Sequence, residues 1–395
     1  MTSIKRACAA LALALPVMLA VPWTPAGAAA APSDPWVRAW GLNNVGQLGN
    51  GGTLDQQTPS AVTGLARTDV RELAGGGWNN TTAFAVALLN DGTVQSWGGN
   101  TNGQLGDGTT TARSFPAAVS GLSEVTEAAA GATFAYAVRG GRVLAWGDNS
   151  FGQLGNGVTA TSTDPPAGRP VSVQSLNKVK DIAAGCSHAL ALREDGSVWT
   201  WGRNHFGQLG LGSTTDRNTP RRVPDLTDVV EVAAGCHHSL ARTADGTVKA
   251  WGYNLNGQLG NDSTEHGSAP VDVKHLTDAA RIYAAGYHSF AVLDDGQVRA
   301  WGWNGGGHLG DGSTVSRTTP VPVPGLTDVT ALAGGYNHTL AVLADGSVLA
   351  WGDNTSGKLG DGTTTNSPTP VTVLRPGSGT TRVAASKVSG ASYAY

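Results

Sequence analysis

The stretch Trp201-Gly202-Arg203-Asn204-His205-Phe206-Gly207-Gln208-Leu209-Gly210 states a pattern, W-G-x-N-x-x-G-Q-L-G, of which seven copies run along the chain, the last two with His308 and Lys358 in the glutamine place. Its tryptophans are Trp40, Trp97, Trp146, Trp201, Trp251, Trp301 and Trp351, so the successive spacings are 57, 49, 55, 50, 50 and 50 residues. Self-similarity at this period marks a repeat architecture, in which one supersecondary unit buries its apolar faces only against its neighbours. At 395 residues a single thick core is ruled out, but a ring or stack of seven units is not.

Between the signatures the chain reads as short strands and tight turns. Blocks such as Val232-Ala233-Ala234-Gly235, then Ser239-Leu240-Ala241, then Val248-Lys249-Ala250-Trp251, give three strands, here called A, B and C. An Asp-Gly turn joins B to C at Asp91, Asp195, Asp245, Asp295 and Asp345, and Gly140-Gly141 serves the remaining hairpin. After the signature loop comes a strand D, opened by Pro59, Pro116, Pro170, Pro220, Pro270, Pro320 and Pro370. Proline donates nothing to a ladder, so D belongs on the outer edge. The Ala and Gly of strand A suit the crowded axis.

Seven units of four antiparallel strands describe an all-β, seven-bladed β-propeller. The first unit begins in its strand C, at Trp36-Val37-Arg38-Ala39-Trp40, and Arg382 to Tyr395 looks like a degraded A and B pair. The expectation is a ring closed by N- and C-terminal strands that share one blade. Residues 36–395 would form this propeller, behind a secretory signal at 1–28 and a short linker at 29–35. The signal rests on Lys5-Arg6, the apolar run Ala7 to Val21, and Ala26-Gly27-Ala28 as a cleavage site. Secretion, no membrane anchor and a monomer are therefore expected.

The W-G-x-N-x-x-G-Q-L-G pattern, together with A-A-G-x-x-H-[ST]-L-A-L and D-G-x-V, resembles the regulator of chromosome condensation repeat, from about Trp36 to Tyr395. The resemblance implies the propeller and a protein-binding module. Its eukaryotic founder is a nuclear exchange factor for a small GTPase, which an exported chain without a basic tail departs from. In outline the chain is also similar to secreted bacterial propellers that inhibit β-lactamases, although these lack the G-Q-L-G loop.

Strand alternation puts the A-to-B turns and the C-to-D loops on one face, with the Asp-Gly turns on the other. Residues that vary between copies there are the candidates for partner binding. They are Trp78, Asn79, Asn80, Phe134, His237, Tyr287, Tyr336 and Asn337 in the A-to-B turns, with Arg203, Tyr253 and Trp303 after Trp-Gly. Two units are enlarged on this face, at Gly75 to Thr82 and at Val158 to Arg169, and the contact surface is expected to centre there.

Chemistry is not expected. His188, His238, His288 and His338 recur at one repeat position, as a buried imidazole bonding a neighbouring blade's backbone would. Cys186, His188, Cys236 and His238 have zinc-ligand types, but their spacing is only the repeat period, so no metal is assigned. Cys186 and Cys236 occupy matching places in adjacent units, and a disulfide between them stays open. The recurring asparagines, Asn43 to Asn354, suit loop-holding amides. No catalytic set and no cofactor are read; two acidic residues facing each other at the axis mouth would be the sign of an enzyme. The net charge is −3, and without Lys5 and Arg6 it becomes 24 basic against 29 acidic residues, which disfavours nucleic acid. The function expected is capture of a protein partner through one face, as inhibitor or regulator of an extracellular enzyme. A carbohydrate-binding propeller is the alternative, with nucleotide exchange or an axial active site less expected.

Overall fold

A computed structural model describes residues 35–161, 167–387 and 389–395. The expected signal and linker thus lie outside the described residues, apart from Pro35. The described chain forms seven four-stranded antiparallel sheets. Blade 1 joins the chain ends: strand C is Trp36–Gly41 and D is Gln56–Ala66, while A and B are Val383–Ala385 and Ala391–Ala394. Trp40 pairs with Ser392 and Ala39 with Tyr393 across that seam. Blades 2 to 7 follow in order, with A strands at Val70–Gly76, Val125–Ala130, Val179–Ala184, Val229–Ala234, Ala279–Ala284 and Val329–Gly334.

The signature explains itself through the contacts between blades. Each tryptophan lies fully buried and donates its indole N–H to a main-chain carbonyl in the loop of the preceding blade. Trp97 reaches Gln47 O, Trp146 Gln104 O, Trp201 Gln153 O, Trp251 Gln208 O and Trp301 Gln258 O, at 2.8–2.9 Å. Trp351 donates to His308 O and Trp40 to Lys358 O, which completes the circle. Because the acceptor is backbone, His308 and Lys358 can stand in the glutamine place without breaking the series. The last glycine of the motif is equally forced: at Gly210 the backbone has φ +70°, and a Cβ would stand 2.9 Å from Trp251 Nε1. The motif asparagine shapes the loop from within, as expected; Asn204 Oδ1 accepts the Leu209 N–H at 2.9 Å, and its Nδ2 donates to two loop carbonyls.

A second series links neighbouring B strands. His188, His238, His288 and His338 place Nε2 2.8–3.1 Å from Ser239, Ser289, Thr339 and Ser392 of the next blade. Each hydroxyl in turn donates to a loop carbonyl, as Ser239 does to Gln208 O. The imidazole must therefore donate from Nε2, and its partner is a side-chain hydroxyl, not the backbone anticipated from sequence. Blades 2 and 3 replace the polar pair by an apolar one, with Phe84 sharing a core cluster with Ala135 and Phe134 with Ala189.

Strand D is the outer edge, but its prolines do not open it. Pro116 sits fourth in Arg113–Ala118, and Pro170 fourth in Ala167–Ser172. The ladder jumps there, from Gly98↔Arg113 to Ser96↔Ala117, so the proline occupies a bulge where no N–H is required. Ala167–Arg169, read as part of an insertion, are consequently strand residues.

Two predictions follow from these bonds. Trp146→Phe leaves Gln104 O without a donor, whereas after Trp251→Phe the Ser239 hydroxyl still serves Gln208 O. In chemical denaturation Trp146→Phe should cost about 1–3 kcal/mol more than Trp251→Phe, the penalty of an orphaned buried acceptor. Equal losses would disprove the assignment. Burial holds the His238 and His338 imidazoles down to about 3, with the Lys387 and Lys358 charges adding to the effect. An unfolded histidine takes its proton near 6.5, so between that pH and about 3 the unfolded chain binds more protons, and stability falls as pH falls. The double variant His338→Phe with Ser392→Ala copies the apolar pair of blades 2 and 3. Its Tm should decline less steeply from pH 6.5 to 4 than that of the native chain.

Candidate functional site

The A strands converge on the axis and enclose a cavity of about 310 Å³. Their alanines and glycines permit the approach, as Gly75 shows: a Cβ there would meet Ser386 N at 2.8 Å. At the end of this channel nearest the Asp-Gly turns, the third A-strand position carries Glu72, Glu127, Asp181 and Glu231 in four successive blades. Facing carboxyls at the axis mouth do therefore occur. Glu72 is pushed up to about 8 by burial and by the neighbouring Glu127, whose own carboxyl burial also raises. Their other bonds are stitches between blades. Glu72 accepts the Ala128 N–H at 3.0 Å and Glu231 the Ile282 N–H at 3.3 Å. At the opposite end Lys387 crosses the axis from blade 1 and donates to Ala184 O and Ala234 O. Burial pulls its ammonium down to about 8.

Above Lys387 the A-to-B turns tie blade to blade. Cys186 N donates to Cys236 O, Cys236 N to Gly286 O, and Gly286 N to Gly335 O, at 3.0–3.1 Å. Cys186 and Cys236 are joined by a disulfide, with their Cα atoms 4.4 Å apart. The convergence of A strands brings together turns that the sequence separates by 50 residues.

Next to this bridge lies His237, only 6% exposed, at the centre of a continuous group of rings. Its ring lies 5.5 Å from Phe206, 5.9 Å from Tyr287, 6.3 Å from Trp78 and 6.4 Å from Tyr253. Tyr287 carries the contact on to Trp303 at 6.2 Å and to Tyr336 at 5.4 Å. Most pairs are edge-to-face, the arrangement ring quadrupoles favour. Burial, helped by Arg203 and His205, holds the His237 imidazole down to about 4, so it is neutral within this group.

The structure thus gathers Trp78, His237, Tyr253, Tyr287, Trp303 and Tyr336 in one place. Arg203 lies beside them, its guanidinium 4.7 Å over the Phe151 ring. Asn79 and Asn80 are exposed on the same face, where Asn79 holds its own turn by accepting the Thr81 N–H. Asn337 is half-buried and donates to Asp353 at 3.4 Å. Phe134 is excluded: it is the first residue of strand B in blade 3, wholly buried against Tyr136 at 5.3 Å. It occupies the histidine place, one residue further along than a turn position. The expected centre also moves. The rings gather over blades 4 to 7, and the enlarged blade 2 turn contributes Trp78, which reaches across the axis end to His237. In the second enlargement, residues 162–166 lie outside the described residues.

Sequence reading missed Phe206 and His266, which pack 5.3 Å apart at the edge of the group. Phe206 precedes the G-Q-L-G glycine, where other copies carry Val45, Asn102 or Gly306, and that contrast was available. It also missed the exposed aliphatics. Of the eight large hydrophobics exposed among the described residues, Leu54, Trp78, Val158, Leu255 and Val315 all stand on this one face.

Comparison with known proteins matches two family descriptions. Residues 159–393 match the RCC1-like domain, and residues 37–83 and 91–138 match the regulator of chromosome condensation (RCC1) repeat. The chain is similar to the ultraviolet-B receptor UVR8 of Arabidopsis thaliana, at 32% identity over 47% of this chain and 30% of that protein. It therefore spans less than a third of that relative's length. Human WBSCR16 superposes with a TM-score of 0.79 at 23% identity, covering 91% of this chain and 98% of the other. Prp20p of Saccharomyces cerevisiae, a structure described with its binding to Gsp1p and histones, gives 0.78 at 22% identity and 92% of each chain. Both likenesses show the shared fold.

Alkylation without reduction should leave Cys186 and Cys236 unmodified in an intact-mass measurement, and reduction should expose both. For a loop of this length the bond contributes up to about 4 kcal/mol, so reduction should lower Tm. Free alkylation of the native chain would refute the bridge.

Proposed function

The chain belongs to the RCC1-like propeller family, and on that premise we propose that it is an exported protein-binding module that grips its partner through the face of the A-to-B turns. The observation that carries this reading is the one-sided distribution of apolar surface. Five exposed large hydrophobics and the ring group around His237 share a single face of an otherwise ordinary surface. Contiguous apolar area with aromatic anchors is the composition of protein interaction sites. Family likeness supports it as well, since the yeast relative Prp20p is described with protein partners.

Export is supported by the basic, apolar and small-residue order of residues 1–28 and by the disulfide, a bond that persists in oxidising compartments. Regulation or inhibition of an extracellular enzyme is the finer form of the same reading. A glycan-binding propeller would repeat its site in each blade, but the position after Trp-Gly runs Leu42, Gly99, Asp148, Arg203, Tyr253, Trp303 and Asp353.

A photo-crosslinking residue placed at Trp303 should capture a defined protein from the medium of the producing cells. The same residue at Asp245, on the opposite face, should capture nothing. Capture from both faces alike, or glycan-array binding without any protein adduct, would defeat the proposal.

A further inference from the structure

One of the seven loops departs from the rest, and the departure frees an arginine at the rim of the docking face. Ten residues after the signature tryptophan, six blades carry Asn50, Asp107, Asn156, Asn261, Asp311 and Asp361. In each, that side-chain oxygen accepts an N–H of the motif asparagine, as Asp311 does from Asn304 at 3.0 Å. Blade 4 has Leu211 instead.

The same place answers a charge. Three blades open strand D with an arginine, Arg113, Arg217 and Arg317, each opposite the glycine that follows its tryptophan. Arg113 lies 3.4 Å from Asp107, and Arg317 lies 2.8 Å from Asp311. With Leu211 in that place, Arg217 pairs with no carboxylate among the described residues. Its Nε is buried without an acceptor, and so is Ser213 Oγ without a partner, whereas the counterpart Ser313 donates to Asp311 at 2.8 Å. Arg113 Nε is unpartnered as well, but the charge of that guanidinium is met at Nη1.

Arg217 and Arg221, both from strand D of blade 4, line a groove of about 220 Å³ between blades 3 and 4, with Phe151 and Thr159 on the other wall. Asn218 ties the walls together: its Nδ2 donates to Gly157 O at 3.0 Å and its O accepts the Gly157 N–H at 2.9 Å. Phe151, under the Arg203 guanidinium, joins the groove to the docking face. The one acid in the lining is already engaged: Asp216 accepts the Asn204 N–H at 2.7 Å and lies 3.6 Å from His205 Nε2.

Resting on the reading of this face as the docking surface, we propose that the groove anchors an acidic side chain of the protein partner, its carboxylate held by Arg217 and Arg221. The chain's own loops set the pattern, since an arginine at this place is answered by a carboxylate in both other blades that carry one. Guanidinium and carboxylate match in two parallel bonds, and a charge-assisted bond is among the stronger a surface can offer. A phosphate monoester would bring nearly double the charge beside Asp216, which a carboxylate avoids. Phe151 gives the methylenes of a glutamate an apolar wall.

Fluorescence anisotropy of the full chain with labelled hexaglutamate tests this, with hexaglutamine and inorganic phosphate as comparisons. Hexaglutamate should bind saturably, at least about tenfold more tightly than hexaglutamine, and phosphate should displace it only at far higher concentration. Leu211→Asp restores the missing carboxylate within the loop, so it should claim Arg217 and weaken hexaglutamate about fivefold to tenfold without lowering Tm. Arg217→Gln should weaken it as much. Leu211→Asn, which copies Asn50, Asn156 and Asn261 without adding a charge, should bind as the native chain does. Absence of saturation, parity with hexaglutamine, displacement by phosphate at comparable concentration, indifference to Leu211→Asp or Arg217→Gln, or an equal loss in Leu211→Asn would overturn the proposal. A protein adduct from the crosslinker at Trp303 in that case would leave the docking face standing, with a partner that brings no acidic anchor.

Discussion

One hydrogen bond, made seven times, underlies this molecule: an indole N–H of one blade to a loop carbonyl of the blade before it. The bond fixes where each loop lies, which glycine must end the motif, and how far neighbouring sheets turn from one another. Because it joins a side chain to backbone, the acceptor residue can change identity while its carbonyl stays in place. That freedom lets Gln208, His308 and Lys358 serve one skeleton and yet differ in what their side chains do. The regular frame and the irregular face thus come from the same residues, seen from the main chain and from the side chain.

Much of the frame was legible in the sequence because it is local. Tryptophan, glycine and asparagine sit within ten residues of each other, and an Asp-Gly pair between apolar runs specifies its own hairpin. The shared blade was legible too, since the first and last segments each lack what the other supplies. The misreadings concern register and convergence. Phe134 lies one place beyond the turn, in the histidine position of strand B, and a single-residue offset separates a surface ring from a core ring. The D-strand prolines mark bulges in the middle of strands because the edge begins three residues earlier. The pairing of Glu72 with Glu127 and the reach of Lys387 across the axis arise only once seven strands meet around one line, and no periodicity along the chain announces them.

The distribution of polar groups follows a consistent division. Around the axis, the half-buried Glu72, Glu231 and Lys387 stitch blade to blade, each with a main-chain partner. Between B strands the imidazole Nε2 bonds a hydroxyl of the next blade, and where the imidazole is absent the hydroxyl is absent too. Buried polar atoms without a partner occur beneath the rings, at Gln208 and Gln258 Nε2, and also elsewhere, at Arg113 Nε, Ser213 Oγ and Arg217 Nε.

The closing blade has a consequence for how the chain is made. Its inner two strands come from residues 383–394 and its outer two from residues 36–66, so nearly the whole polypeptide must be synthesised before the circle can exist. Until then blades 2 to 7 form an open crescent, with Trp40 waiting for Lys358 O and one apolar edge bare at each tip. Vectorial emergence from a ribosome leaves those tips exposed for the longest time of any surface in the propeller. Residues 383–394 therefore act as a keystone, and a ribosome that stalls shortly before them releases an arc with two adhesive ends.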